Sequence, residues 1–463
     1  MLRGQDIICL SSIDWDFIWQ GHQEIMSTLT AHGNRILFIE NTGVRAPTLQ
    51  DLPRLKRRLV NWWRSTRGFR REKENPYLYS PIVLPFPYSW FARLINRFVI
   101  LQAVRRWMKV MDFSSPIVWT FLPTPLACDL MHGLNPRLVI YYCIDSFAQS
   151  SRFARKISTT EQQVIAEADL VFVTSHKLHQ HALAHNSEVF FFPFGVSLEK
   201  FEQAREKGSR ACPKDIADVA RPVVGYVGGI HKWIDLELIK ELAQRYSMFH
   251  FALVGPIQTD ISLLQGLPNV HFLGEKAHAA VPDYVQAFAV ALIPYRLTEY
   301  TENVYPTKMN EYLAMGKPVV STPLHEVRLF NEQHGGIVAV GADSAEFGRR
   351  IEEALSEDGA FQARRVAVAR EGEQLEQPHR ADVGVNREEA QAPIRGQGAS
   401  LAGDLPGTLR AGPKKGRSGD SRPCLPLLSA VLLSLSLVGG CSLEICRPSS
   451  AGRRHCCAGR GSG

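Results

Sequence analysis

The 463-residue sequence has no long uninterrupted apolar run. Its longest candidate, Leu425 to Gly440, is interrupted by Pro426 and by serines. This run is shorter than the roughly 20 apolar residues that cross a bilayer as a helix. No leader-like segment precedes the first strand-like run, residues 7–10, so we expect no signal peptide. These absences argue against a membrane-spanning protein and against an exported one.

Patterns typical of disulfide frameworks and metal sites are also missing. Of the nine cysteines, Cys9, Cys128, Cys143 and Cys212 are scattered over mostly apolar segments, as is typical of reduced thiols in a cytosolic core. The other five are concentrated after residue 423, and none of their spacings matches a zinc site. We therefore expect no metal and no cofactor. The net charge of +7 is modest for this length, so the position of the charge matters more than its sign.

The last part of the chain has a different composition. From about Gly372 the apolar periodicity stops, and Gly, Arg, Pro, Ser and Ala dominate. Residues 373–390 read EQLEQPHRADVGVNREEA, whereas the neighbouring reading frame of permitted codons can encode NSWSSRIERMSALIEKKL. That second peptide has apolar residues at helical spacing. We therefore predict that residues 372–463 are a disordered, out-of-frame tail.

Strand-like and helix-like segments alternate through the rest of the chain. Continuous apolar runs of strand length, separated by amphipathic segments, are typical of parallel βαβ units with both sheet faces covered. A polar stretch with Gly208 and Pro213 interrupts the alternation. We predict two α/β domains in a doubly wound arrangement. The predicted ranges are 1–200, with a basic insertion at 50–110, a linker at 201–221, and a second domain at 222–371.

The segment from Asn303 to Thr322 carries the strongest chemical signal. It reads as a loop, a helix beginning near Thr307, Gly316 and then a buried strand. A helix start offers free N–H groups to an anion, and Lys308 adds a full positive charge. Glu311 lies about one turn further and can accept both hydroxyls of a ribose. A surface helix with ordinary charges is the alternative interpretation.

This segment resembles the donor-site signature of family-four, group-one type bacterial glycosyltransferases. Other segments follow in the family's order: 192–197 resembles the hinge motif, 225–235 the first donor-domain loop, and 269–274 and 288–294 later strands. The resemblance implies the GT-B fold, in which two Rossmann-like domains face a cleft. It also implies donor contacts for Gly228, Gly229, Lys232, Asn303, Thr307, Lys308 and Glu311. Asn303 departs from the family, because many relatives have Glu there.

Candidates for acid–base chemistry lie near the ends of strands in the first half. Asp16 and His22 follow the first predicted strand, and Asp145 follows the strand that ends near Ile144. Loops at such places face the cleft in this fold. We therefore consider Asp16, His22 and Asp145 as groups that bind or deprotonate an acceptor hydroxyl. Capping of a turn or a helix is the alternative role for Asp16 and His22.

Basic and aromatic residues are interleaved within residues 54–109. The group includes Arg57, Arg58, Trp62 and Trp63, and a second group follows from Trp90 onward. Such mixtures suit an anionic membrane interface. A solvated insertion is the main alternative. Nucleic acid requires the same charges, but no recognition motif accompanies them, so we expect no nucleic-acid partner.

The predicted function is transfer of a sugar from a nucleoside diphosphate donor to a glycan or lipid-linked acceptor in bacterial surface polysaccharide synthesis, including exopolysaccharide. The expected location is cytoplasmic, peripheral on the inner face of the plasma membrane. One alternative is a GT-B nucleotide-sugar epimerase, which needs no acceptor. The other is an inactive or binding-only product, because a closing helix is lost with the out-of-frame tail.

Overall fold

A computed structural model describes the chain as two α/β halves, each built on a mainly parallel sheet. It describes residues 2–16, 19–42, 68–72, 76–84, 86–150, 156–193, 198–207, 212–357, 359–374 and Val431.

The first sheet contains eight strands among the described residues, in the order β3-β4-β2-β1-β5-β6-β7-β8. All neighbours pair in parallel except β3 and β4, which are antiparallel. The central strands β5, β6 and β7 are completely buried, as expected for apolar runs covered on both faces. The bounds are β1 Asp6–Leu10, β2 Arg35–Ile39, β3 Phe69–Arg71, β4 Tyr77–Tyr79, β5 Ile117–Thr120, β6 Leu138–Cys143, β7 Leu170–Val173 and β8 Val189–Phe191.

The second sheet contains six strands among the described residues, all parallel, in the order β11-β10-β9-β12-β13-β14. The chain order reverses between β9 and β12. In sheets of this kind, ligands bind beyond the carboxyl ends of the strands at such a switch point. The bounds are β9 Val223–Val227, β10 His250–Val254, β11 Val270–Gly274, β12 Val290–Ile293, β13 Val319–Ser321 and β14 Ala339–Val340.

The helices connect these strands and cover the sheets. Asp235 caps one of them by accepting the Leu238 amide at 3.2 Å, and Asp343 caps another by accepting the Glu346 amide at 2.8 Å, as Asp commonly does at a helix start. The bounds are α1 Gly21–Ala31, α2 Trp90–Met111, α3 Pro125–Gly133, α4 Phe147–Ser150, α5 Ile157–Glu167, α6 His176–Leu183, α7 Leu198–Lys207, α8 Lys214–Ala217, α9 Leu236–Arg245, α10 Val281–Ala287, α11 Lys308–Ala314, α12 His325–His334, α13 Ser344–Leu355 and α14 Gly359–Gln374.

Two segments differ from their predicted roles. The described part of the predicted insertion at 50–110 contributes β3, β4 and α2 to the first half, and Ile100 and Val104 of α2 are fully buried in its core. It is therefore part of the domain rather than an addition to it. The predicted linker at 201–221 is partly helical, because α7 and α8 lie in it, and Phe201 and Ile216 are buried.

The described chain continues as helix α14 through Gln374. Arg370 of this helix forms an ion pair with Glu202 at 2.6 Å, which ties α14 to α7. After residue 374, Val431 is the one described residue of the predicted tail, and it is buried in the first half. The rest of the tail lies outside the described residues, so the prediction that it is out of frame stays a prediction. Among the described helices, none has the length and hydropathy needed to cross a bilayer.

Candidate functional site

A cavity of about 580 Å³ lies where the carboxyl ends of the two sheets face each other. Its walls come from α1 and the segments after β6, β7 and β8 on one side. The other side is formed by the segment after β9, the segment after β12 and the start of α11. The cavity size is typical of a site for a small organic ligand. Its position at the switch point of the second sheet is the one predicted from the alternating pattern.

Glycines bring the backbone close to a lysine at the floor of the second half. Gly228 has a φ of +143°, and a Cβ there would lie 2.2 Å from Lys308 Cε. A Cβ on Gly255 would lie 2.0 Å from the Gly228 carbonyl oxygen. The turns after β9 and β10 therefore require glycine at Gly228 and Gly255, respectively. The missing side chains leave room for the Lys308 ammonium beside the backbone, where it lines the cavity.

The start of α11 supplies less anion-binding backbone than the sequence suggested. The Met309 amide donates to the Pro306 carbonyl at 2.9 Å, and the Asn310 amide donates to the Thr307 carbonyl at 3.1 Å. The helix itself is seven residues long. The charge of Lys308 is therefore the main attraction for an anion here. Thr307 and Glu311 line the same wall of the cavity.

Three predicted donor contacts have different surroundings. Gly229 lines the cavity, and a Cβ there would lie 2.9 Å from Gln258 Oε1. Lys232 is exposed and is not part of the cavity wall. Asn303 is not part of it either, because its Nδ2 donates to Gln149 Oε1 at 2.8 Å and to the Glu299 carbonyl at 2.6 Å. The structure therefore places Lys232 and Asn303, two of the predicted donor contacts, outside the cavity wall.

Asp145 faces the second half from the end of β6. It lines the cavity. Burial raises the pKa of its carboxyl to about 7, and hydrogen bonding with the Tyr300 hydroxyl opposes part of the rise. A carboxylate with a pKa near neutrality is suited to accept a proton at physiological pH. Tyr300 belongs to the second half, so this carboxyl lies where the two halves meet.

The other two acid–base candidates do not reach the cavity. His22 is 1% exposed, its Nε2 lies 2.9 Å from Ser12 Oγ, and its ring contacts Phe121. Burial lowers the pKa of His22 to about 3. Asp16 is paired with Arg70 at 2.8 Å outside the cavity wall. The structure therefore does not bring His22 and Asp16 together with Asp145 in the cavity wall.

An aromatic stack in the second half was missed by the sequence analysis. The rings of His231 and Trp233 are stacked with centroids 3.6 Å apart, and Trp233 lies 5.6 Å from Tyr300. All three residues line the cavity. Burial lowers the pKa of His231 to about 4, so this ring is neutral at pH 7. The position of His231 in the loop that follows Gly228 and Gly229 is the sequence feature from which its place in the cavity wall could have been predicted.

Charged pairs hold the two halves together beside the cavity. The His176 backbone amide donates to Glu326 Oε1 at 2.9 Å, and His176 Nδ1 lies 2.9 Å from Oε2 of the same carboxylate. Glu326 is 2% exposed. Lys177 and Glu302 form a second ion pair across the same junction. The relative position of the halves therefore depends on a few polar side chains.

The predicted membrane residues Arg57, Arg58, Trp62 and Trp63 lie outside the described residues. The second basic and aromatic group forms α2. One side of this helix, which we call the apolar helix face, consists of Trp90, Phe91, Leu94 and Phe98. These four side chains are 77%, 56%, 57% and 67% exposed. Exposed apolar groups of this size commonly mark an interaction surface.

Comparison with known proteins gives three similarities. Residues 221–357 match the family model of glycosyl transferases group 1. The chain is 30% identical over 238 residues to a Bacillus subtilis (strain 168) protein named "Putative teichuronic acid biosynthesis glycosyltransferase TuaH". That match covers 48% of this chain and 59% of the relative, so the chain spans less than two thirds of that protein.

Two solved structures share the fold at low sequence identity. Sucrose-phosphate synthase from Thermosynechococcus elongatus is 17% identical, with a TM-score of 0.57 over 79% of this chain and 93% of that one. Anabaena HepE in complex with UDP and glucose is 12% identical, with a TM-score of 0.53 over 79% of this chain and 95% of that one. The predicted resemblance is confirmed: the chain has the GT-B fold, and its residues 221–357 match the model of glycosyl transferases group 1.

Proposed function

We propose that this chain transfers a sugar from a nucleoside diphosphate donor to a glycan or a lipid-linked acceptor in bacterial surface polysaccharide synthesis. The observation that carries the proposal is the arrangement of three side chains around one cavity. Lys308 and Glu311 line it from the second half, and Asp145 lines it from the first. The names of the relatives, a glycosyltransferase and a synthase, favour transfer over epimerisation.

Each of these side chains has a separate role in the proposed reaction. The Lys308 ammonium binds the diphosphate, and the Glu311 carboxylate accepts the ribose hydroxyls. Asp145 takes the proton of the acceptor hydroxyl as its oxygen bonds to the anomeric carbon. The bond from that carbon to the phosphate oxygen breaks, and its electron pair leaves with the diphosphate. Lys308 stabilises the charge that develops there.

A transfer assay with several donors tests this proposal. The full chain is incubated with UDP-, GDP- and dTDP-sugars and with neutral and lipid-linked glycosides, and products are identified by mass spectrometry. We expect an acceptor enlarged by one sugar, together with free nucleoside diphosphate. Asp145→Asn should lose product formation while it still binds the nucleotide. An isomerised donor without an enlarged acceptor would favour the epimerase instead.

We further propose that the apolar helix face binds an anionic membrane surface. Trp90, Leu94 and Phe98 recur at helical spacing, and each is more than half exposed. Arg105, Arg106 and Lys109 supply positive charge further along the same helix. Arg93 contributes less positive charge to this surface, because it forms an ion pair with Asp129 at 2.9 Å. Such a surface would bring the cavity to a lipid-linked acceptor.

Vesicle sedimentation tests the membrane proposal. The full chain is mixed with vesicles of phosphatidylglycerol and phosphatidylcholine, and with vesicles of phosphatidylcholine alone. Replacing Trp90, Leu94 and Phe98 with serine should weaken binding to the anionic vesicles at least about tenfold. Met248→Ser, which alters an equally exposed apolar side chain in the second half, is the control and should bind normally. Unchanged binding by the triple variant would reject the proposal.

A further inference from the structure

Trp19 and Glu24 form a fixed pair in the wall of the first half. The indole Nε1 of Trp19 donates to Glu24 Oε2 at 2.6 Å, and both side chains line the cavity. Trp19 lies two residues before the first residue of α1, Gly21, and Glu24 lies in the first turn of that helix. The hydrogen bond uses the polar edge of the indole and fixes its orientation, so the ring faces are left for apolar contact. Flat apolar rings of this kind suit the C–H face of a pyranose.

The ring of Trp19 lies at the junction of the two halves. The nearest aromatic group of the second half is His278, whose ring is roughly parallel to the indole, with centroids 6.4 Å apart. The indole also meets Trp15, which is not part of the cavity wall, edge to face with ring centroids 6.0 Å apart. The indole therefore belongs to the first half and borders the second. We call the first half the acceptor half and the second half the donor half, after their roles in the proposed reaction. A sugar lying on it would be close to the place where transfer occurs.

Charge is distributed unevenly between the two halves of the cavity. Among the described residues that line it, Lys308 is the only lysine or arginine, and it lies against Gly228 in the donor half. The acidic residues of the acceptor half are Glu24 and Asp145. Lys200 is 3.4 Å from Glu24 Oε1, but it is not part of the cavity wall, so it is not placed to contact a ligand inside.

These surroundings select against an anionic acceptor. A uronate or a phosphorylated sugar in the acceptor half would meet two carboxylates and no lysine or arginine in the described wall of that half. Like charges at short range repel strongly where water is excluded. Hydroxyl groups, by contrast, can donate to both carboxylates. A pocket of this kind combines apolar contact with a few polar groups that fix orientation.

We propose that the acceptor presents an uncharged sugar ring to this half of the cavity, with its C–H face on Trp19 and its hydroxyls donating to Glu24. This inference rests on the proposed function, and it specifies the class of acceptor. The donor diphosphate would thus lie beside Lys308, whereas the acceptor terminus would lie beside Glu24 and Asp145. Trp19 and Glu24 determine acceptor specificity and take no part in the bond-breaking step.

Saturation-transfer NMR with matched sugars tests the inference. The probes are the methyl glycosides of glucose and galactose and of the corresponding uronic acids, which differ only at C6. They are added to the full chain with and without UDP. We expect the neutral glycosides to bind at least about tenfold more tightly than the uronates. Trp19→Ala should abolish that binding, whereas Trp15→Phe, which alters the neighbouring indole outside the cavity wall, should retain it.

Glu24→Gln separates the charge from the shape. It keeps hydrogen-bonding capacity at this position but removes the negative charge, so the disadvantage of the uronates should shrink at least threefold. Uronates that bind the wild-type chain as tightly as neutral glycosides would overturn the inference, as would binding that survives Trp19→Ala or no binding of any glycoside. If nucleotide still binds in those cases, the donor site stands and only the acceptor assignment fails.

Discussion

Gly228→Ala perturbs the donor half of the cavity at one point. The new Cβ would lie 2.2 Å from Lys308 Cε and 3.0 Å from its Nζ. The lysine side chain is flexible, so it would move away rather than disrupt the core. The φ of +143° adds strain of roughly 1–3 kcal/mol to the folded state. We therefore expect lower stability together with a displaced Lys308 ammonium.

The displaced charge determines the size of the binding effect. A hydrogen bond to a charged group contributes about 1.5–3 kcal/mol, so losing it should weaken nucleoside diphosphate binding by roughly 10- to 150-fold. Calorimetric titration of the Gly228→Ala chain measures this loss directly. Because the closest clash is with the lysine side chain, ahead of the Tyr226 hydroxyl at 2.8 Å, Gly228→Ala should cost much less affinity when Lys308 is already alanine.

Gly274→Ala is the matched control for backbone strain. Gly274 has a φ of +70°, and a Cβ there would have nothing within 4 Å. This variant should lose stability but bind nucleotide normally. If Gly228→Ala weakens binding equally with Lys308 present and absent, the assignment of the effect to the lysine is refuted.

Three further predictions concern other groups. Burial lowers the pKa of His22 to about 3 from the ordinary 6.5. The contribution of the neutral, buried imidazole to stability is therefore complete above pH 6.5 and decreases as the pH is lowered below that value. The free energy of unfolding of the wild type in urea, measured relative to that of His22→Gln, should fall by about 2 kcal/mol between about pH 6.5 and about pH 4.5. The same pH dependence in both proteins would contradict this prediction. Asp145→Asn should lower the transfer rate at least about 100-fold with unchanged nucleotide affinity. In the wild type, kcat/KM should fall as pH drops through about 7, and Tyr300→Phe should raise that midpoint; a flat profile would exclude Asp145 as the base. Glu326→Ala removes the acceptor of two His176 groups and should cost about 1–3 kcal/mol and increase the radius of gyration in X-ray scattering, whereas no change in either would show that this contact does not hold the halves together.

The strands were predictable where one apolar run is buried on both sides. The strand-like segments 7–10 and 288–294 of the sequence coincide with strands β1 and β12, because central parallel strands are continuous apolar runs. The short strands β3 and β4 were missed, since each has three residues and depends on pairing with the edge of the sheet. Helix α2 was missed as a helix because its exposed side is also apolar.

Site residues were predictable where one local segment provides the geometry. Gly228, Lys308 and Glu311 line the cavity, and each lies in a motif whose spacing implies the arrangement. The place of His22 outside the cavity wall could not be predicted, because its burial involves Phe121, about a hundred residues away. The place of Asn303 could not be predicted either, because its partner Gln149 belongs to the other half. Contacts between the halves leave no trace in the local sequence.

The most direct test of the account is calorimetric titration of the full chain with UDP, GDP, ADP, CDP and dTDP, repeated with Glu311→Ala. We expect one nucleotide to bind with clear preference. The Glu311→Ala substitution should weaken the binding of that nucleotide at least tenfold, because the ribose hydroxyls lose their hydrogen-bond acceptor. Wild-type binding that is equal in the variant would contradict the donor site. Absence of binding by all five nucleotides would contradict the proposed function.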